Sequence, residues 1–315
     1  MTHKGRTTPP VLLHLLVLLA VVLPALGMAA LVMDMQPTAQ LRAPVTATSR
    51  PLILAQPKLI RPRTVSGLSS RYESVGYTLE SVRAGDPPPA FVLMTLPGDW
   101  TKEMPSEVRK SLFFRALLPL VMQVNGEIAA ARDRLIALRD HPDMSRRDRV
   151  WLNRMAERYN AIDGRTGAID WDELMRRVDL VPPSLALAQG ALESGWGRSR
   201  FARQGNALFG QWTWTEGAGI VPKDREDGKT HSVRSYRSLL ASVRGYMTNL
   251  NSAGPYARLR KAREQAAAAG KPVTGQELAA YLDRYSEEGE VYVKKVRSMI
   301  SVNKLGPMDQ LINGR

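Results

Sequence analysis

From Pro182 through Ser184, Leu185, Ala186, Leu187, Ala188, Gln189, Gly190 and Ala191 to Leu192, the chain carries no charged side chain. Proline suits a first helical turn, and alanine and leucine are strong helix formers. A helix with side chains this small and apolar can pack closely on several sides at once. The fold therefore has to supply partners around it. The first charge, Glu193, sits at its end, and Gly195 is a natural terminator just beyond Ser194.

The position of Glu193 bears on its chemistry. A carboxylate near a helix C-terminus meets the negative end of the helix dipole. The apolar neighbours Leu192 and Trp196 are expected to desolvate it. Both effects favour the neutral acid and raise the pKa. An acid that keeps its proton near neutral pH is what cleavage of a glycosidic bond requires. On spacing alone, an ordinary solvated glutamate in a last helical turn is the commoner case. The aromatic residues that follow shift the balance: Trp196, Phe201, Phe209, Trp212 and Trp214. Sugar rings stack on such side chains, whereas the alternative is a core between two lobes. The core assignment is expected for Phe209 and is open for Trp196. Trp212 and Trp214 alternate, so both face one side of an extended segment.

The rest of the chain reads as mostly helical. Val108, Leu112, Phe113, Leu117, Leu120, Val121, Val124, Ile128, Leu135 and Leu138 keep a 3.6-residue period, with Pro119 expected to kink the helix. Further helices fit residues 150–159, 258–269, 275–285 and 291–301, another opens at Ser238, and a short strand fits residues 91–94. Asp170 and Glu173 are spaced as a capping box for a helix from Trp171. Capping also explains the acidic cluster of Asp163, Asp170, Asp172 and Glu173 better than calcium does, since EF-hand spacing is lacking. Residues 205–235, rich in Gly, Trp and Thr, fit a small β-lobe or hairpin.

At the N-terminus, Lys4 and Arg6 precede an apolar run over residues 11–33 whose only polar side chain is His14. As a helix it would rise roughly 34 Å, enough to span a hydrocarbon core. The run is read as an inner-membrane anchor facing the rest of the chain outward, in preference to a cleaved signal peptide. Pro37, Pro44, Pro51, Pro57 and Pro62 mark residues 34–75 as a linker. The expected organisation is thus an export segment at 1–33, this linker, a helical extension at 76–160, a catalytic domain at 161–305 and a tail at 306–315.

The formal net charge of +14 favours a polyanionic partner. Export removes nucleic acid as the natural one and leaves anionic lipid or an acidic wall polymer. The chain has no cysteine and four histidines, so thiolate sites are excluded, no metal or cofactor is expected, and His231 is read as a β-lobe surface residue. The basic run Arg146, Arg147 and Arg149 reads as a solvated helix face or an attractor of acidic wall groups. Ser194 lacks a G-x-S-x-G context, and Gly195 and Gly197 lack the third glycine of a dinucleotide loop.

The stretch from Ser184 to Gly197, with Asn206-Ala207-Leu208-Phe209-Gly210, Ser235-Tyr236, Tyr285 and Tyr292, resembles the bacterial β-N-acetylglucosaminidases of glycoside hydrolase family 73, and among them the Bax-type branch. The resemblance runs over residues 100–305. It implies a lysozyme-like α+β fold, mostly α, with a small β-lobe and an N-terminal helical extension. It also implies a groove between lobes and the glycan strands of peptidoglycan as substrate. Glu193 matches the family's general acid and Tyr285 its essential tyrosine, although residues 286–291 depart from the usual pattern. A second acid is expected among Asp224, Glu226 and Asp227, with Asp224 fitting the spacing best. Trp196, Asn206, Phe209, Trp212, Trp214, Tyr236 and Tyr292 are the implied substrate contacts. A muramidase or lytic transglycosylase, and a non-catalytic wall-binding protein, are the competing readings.

Overall fold

The structure, a computed structural model, describes residues 57–313 except 102, 103, 142, 224, 226 and 227. The apolar run at 11–33 and the three candidates for the second acid lie outside the described residues.

The chain expected to be linker up to residue 75 is structured from Lys58 onward. Strand β1 (Lys58–Ile60) pairs in parallel with β2 (Phe91–Leu93), Lys58 opposite Phe91. Pro57 and Pro62 flank β1, a position proline tolerates because it lies outside the ladder. Helix α1 (Val65–Glu73) starts where the Thr64 side chain accepts a hydrogen bond from Gly67 N, and it buries Leu68 and Tyr72. Those two, four residues apart, occupy one helical face. Proline frequency concealed that pattern. Helix α2 (Leu79–Arg83) follows.

Helix α3 (Ser106–Arg139) runs 34 residues without interruption and buries the periodic positions from Leu112 to Leu138. Pro119 lies inside it. A proline there has no N–H for the carbonyl four residues back. That carbonyl, of Arg115, accepts instead from Tyr77 Oη at 3.1 Å. Tyr77 in turn accepts at its own carbonyl from Arg115 Nη1 at 3.2 Å. The place where the sequence predicts a kink is thus where the N-terminal segment is bonded to α3. By length and composition α3 would cross a membrane, but its apolar side chains fill the core.

Helix α4 (Arg146–Arg158) and helix α5 (Trp171–Arg177) come next. Asp170 accepts from Glu173 N, as a cap should, while the Glu173 carboxylate turns to Arg176 and Arg177. Helix α6 (Pro183–Ser194) contains the apolar, uncharged segment before Glu193, and every residue from Pro183 to Ala191 is buried. It packs against α3. A Cβ on Gly190 would stand 2.6 Å from Leu117 Cδ2 and 3.4 Å from Phe209 Cε1, so glycine is what lets the two helices meet. Helix α7 (Arg200–Gly205) leads into a three-stranded antiparallel lobe of β3 (Trp212–Thr213), β4 (Gly219–Ile220) and β5 (Ser232–Arg234), with β5 in the centre.

Helices α8 (Leu239–Ser252), α9 (Ala257–Ala268), α10 (Gly275–Leu278) and α11 (Glu290–Val302) complete the helical body. The helix expected over residues 275–285 ends early. A 3₁₀ turn over Ala279–Tyr281 tightens the chain and delivers Tyr285 in a turn rather than on a helix. The segment expected to be a tail is packed: Met308, Asp309 and Ile312 are buried, and α12 (Gln310–Asn313) closes the chain. Asp309 accepts from Ser184 N at 2.8 Å, Ser184 Oγ at 2.7 Å and Gly275 N at 2.8 Å. It thereby staples the first turn of α6 to α10. The architecture is a mostly helical α+β fold with a small β-lobe, and one hydrophobic core joins the region expected as an extension to the region expected as a separate domain.

Candidate active site

Glu193 lies in the last turn of α6, half-buried. The helix stops in two hydrogen bonds, Gly195 N to Leu192 O at 3.4 Å and Trp196 N to Ala191 O at 3.0 Å. This is the pairing of a Schellman motif, and it needs a left-handed residue, which Gly195 supplies at φ 56°. Trp196 is also left-handed, at φ 61°, a conformation a bulky side chain adopts only under constraint. The constraint is visible: its carbonyl accepts from Trp100 Nε1 at 2.9 Å, and its ring packs edge-on against Phe114 at 5.1 Å. Ser194 is buried and fully used. It donates to Gly190 O at 2.6 Å and accepts from Gly197 N at 2.9 Å. It braces the turn and is not placed as a nucleophile.

Among the described residues the carboxylate has one donor. Tyr292 Oη, from α11, donates to Glu193 Oε1 at 2.6 Å. The second oxygen, Oε2, lies beside Gly210, where a Cβ would come within 3.4 Å of it. Tyr292 accepts in turn from Gln189 Nε2 at 2.9 Å, and Gln189 Oε1 accepts from Tyr246 Oη of α8 at 2.7 Å. Gln189 and Glu193 are four residues apart on α6 and share its face. Tyr285 stacks on Tyr292, 5.4 Å between centroids and 6° between planes, and its hydroxyl donates to Phe209 O at 3.0 Å.

These surroundings set the electrostatics. Burial lifts the Glu193 carboxyl above the usual glutamate range; the Tyr292 hydrogen bond pulls it down, and the Glu288 carboxylate adds to the rise. Glu288 is itself held by Lys295 at 2.6 Å. Burial also keeps the phenols of Tyr246, Tyr285 and Tyr292 well above the ordinary tyrosine range, so each remains a protonated donor. The arrangement can hold a proton on Glu193 and deliver it.

The sequence-derived site residues divide into two groups. Tyr285 and Tyr292 do converge on Glu193. Tyr292, expected to touch substrate, is buried at 4% exposure and touches the acid instead. Phe209 is a core residue, buried and stacked on Tyr246 at 3.9 Å. Asn206 ends α7 at φ 52° and donates to Tyr236 O at 3.0 Å. Tyr236 donates to Gln211 Oε1 at 2.5 Å, tying the β-lobe to α8 through Gln211 Nε2 and Gly245 O. Both are occupied in holding the loop together. Leu192 and Trp196, expected to desolvate the acid, are both half-buried. They border a depression of about 600 Å³ with Lys110 and the outer side of α11, Val291 to Val302. Trp212 and Trp214 are exposed, at 53% and 70%, and form an edge-to-face pair at 6.4 Å. His231, read as a surface residue, is half-buried under Trp212, stacked at 4.3 Å. Sequence reasoning missed Gln189 and Tyr246. The α6 segment did show a polar Gln189 among apolar residues, one turn before Glu193.

A family model described as Glucosaminidase, mannosyl-glycoprotein endo-beta-N-acetylglucosaminidase, matches residues 168–305, a span that contains Gln189, Glu193, Tyr246, Tyr285 and Tyr292. Protein bax of Escherichia coli strain K12 is 34% identical over 197 residues, covering 62% of this chain and 70% of that protein. The chain belongs to the Bax-type glucosaminidases of glycoside hydrolase family 73. Among solved structures, the catalytic domain of the autolysin Auto from Listeria monocytogenes aligns with a TM-score of 0.36 and 17% identity, over 66% of this chain and 89% of that one. As a family 73 protein the chain is a glycoside hydrolase. The family match begins after α4, yet α3, which precedes it, packs directly on the helix that carries Glu193.

Proposed function

We propose that this glucosaminidase is an endo-β-N-acetylglucosaminidase that cuts β-1,4 bonds in the glycan strands of peptidoglycan, with Glu193 as general acid. The observation that carries the reading is the half-buried Glu193 carboxyl, raised by burial and contacted by one phenol donor, in a chain of the glucosaminidase family. Glu193 gives its proton to the leaving glycosidic oxygen as the C1–O bond breaks, and water completes the hydrolysis. Tyr285 lines the site through its stack on Tyr292. The exposed Trp212–Trp214 pair offers a face for sugar rings. Asp224, with Glu226 and Asp227 as alternatives, is the proposed second acid. An inverting reaction needs it far enough from Glu193 to admit a water. If none of the three reaches, the substrate's own acetamido group takes that part.

A peptidoglycan substrate places the protein in the cell envelope. The apolar run at residues 11–33 is proposed to anchor it in the inner membrane, with the catalytic region in the periplasm. The test is product analysis on purified peptidoglycan beside a zymogram of wild type and Glu193→Gln. Reducing-end N-acetylglucosamine from wild type and no clearing by the variant is the expected result. Anhydro-muramic acid would make the enzyme a lytic transglycosylase, and equal clearing by both would remove Glu193 from catalysis. No clearing by either protein would leave a wall-binding module.

A further inference from the structure

Resting on Glu193 as the acid, we propose that Gln189 is a positioning residue that confines the Glu193 proton to Oε2. The assignment follows from the direction of three hydrogen bonds. Gln189 Oε1 is a carbonyl oxygen and only accepts, so Tyr246 Oη must donate to it, at 2.7 Å. Gln189 Nε2 only donates, so the Tyr292 oxygen must accept from it, at 2.9 Å. The Tyr292 hydroxyl proton is then left to point at Glu193 Oε1, at 2.6 Å. Gln189 and Tyr246 are fully buried and Tyr292 nearly so, which leaves the relay no solvent-facing alternative. The carbonyl oxygen of a neutral carboxyl is a better acceptor than its hydroxyl oxygen, so the Tyr292 donor at Oε1 favours the carboxyl proton on the other oxygen. The acidic proton of Glu193 therefore sits on Oε2, on the side of Gly210, where the missing side chain leaves space beside it.

Two consequences distinguish this arrangement from a merely structural polar cluster. First, the amide donor at the Tyr292 oxygen polarises the phenol and strengthens its bond to the carboxylate, which opposes the rise caused by burial. Second, without Gln189 the Tyr292 oxygen is free to accept, so a neutral Glu193 can turn its proton inward onto Oε1, away from the glycosidic oxygen. Both effects favour the neutral acid while making part of it unproductive.

The experiment uses the full chain with Gln189→Met, which keeps a similar volume and removes both polar atoms. Its companions are Tyr246→Phe, Tyr292→Phe and the double variant Gln189→Met/Tyr292→Phe. Titration of the Glu193 carboxyl carbon by ¹³C NMR, assigned with Glu193→Gln, reads the acid independently of turnover. Turnover on peptidoglycan is measured alongside. Gln189→Met is expected to raise the Glu193 titration midpoint by roughly half a pH unit or more and to lower kcat about tenfold with KM unchanged. Its effect should disappear in the Tyr292→Phe background, because Gln189 acts only through that hydroxyl. If Gln189→Met does not fold, Tyr246→Phe, which frees the amide to rotate, should show a smaller shift of the same sign. An unmoved midpoint in a folded variant, or effects that add in the double variant, would overturn the proposal. A wild type that titrates as expected but releases no sugar product would instead overturn the hydrolase reading and leave the relay standing.

Discussion

Replacing Tyr292 with phenylalanine removes one oxygen from the centre of this site and little else. The ring keeps its stack on Tyr285. The variant loses the 2.6 Å bond to Glu193 Oε1 and strands Gln189 Nε2, which donates to that oxygen at 2.9 Å. Hydrogen bonds to charged groups contribute about 1.5–3 kcal/mol. Glu193 is only half-buried, so the lower end applies, and at 1.36 kcal/mol per unit the carboxyl should rise by about one pH unit. The sign is upward because the lost bond favoured the ionised form. The stranded amide donor is buried and should cost about 1–3 kcal/mol of folding stability. The assay is the pH dependence of kcat/KM for release of reducing ends from peptidoglycan, with urea unfolding of the same preparations. The descending limb at high pH should move up by about one unit, while the unfolding midpoint falls with an unchanged m-value. A folded variant whose limb stays in place, or moves down, would refute the hydrogen-bond account of the Glu193 acidity.

Three further outcomes are expected. In the wild type, Glu193 is raised by burial, so the folded protein holds this proton more tightly than the unfolded chain. Stability from this group is then full below the unfolded glutamate pKa and is lost as pH rises through the folded value; activity should fall through the same point, above the ordinary glutamate range, in a pH–rate profile. Asp309→Ala leaves Ser184 N and Gly275 N without acceptors inside the core and should cost about 2–6 kcal/mol by urea denaturation, whereas a dispensable tail would cost nothing. Trp212→Ala and Trp214→Ala should each weaken glycan binding about fivefold, near 1 kcal/mol for a lost stacking face, with kcat unchanged; a fall in kcat at constant KM would place these rings elsewhere in the reaction.

Much of the helical framework was legible because period and capping are local. α3 keeps its apolar repeat over 34 residues, and α6 shows its burial in the absence of charge. Glu193 was legible for the same reason, standing at the end of that helix before Gly195. Local reading failed where local composition misled. Pro57 and Pro62 suggested a linker, although they bracket a strand and precede a helix packed through Leu68 and Tyr72. The last ten residues looked like a tail, yet Asp309 is bonded to the start of α6, 125 residues away in sequence.

By itself the sequence determined where the helices lie and that one carboxyl would end the most apolar of them. Periodicity, caps and family motifs are all written within a few residues of one another. What the tertiary structure alone decided is how that carboxyl is held. The bonds from Tyr246 to Gln189, from Gln189 to Tyr292 and from Tyr292 to Glu193 span 57, 103 and 99 residues. A spacing rule does not reach so far. The donor that Glu193 receives and the oxygen left to carry its proton come from α8 and α11 bonding to side chains of α6, since a hydrogen bond is set by distance and direction in space.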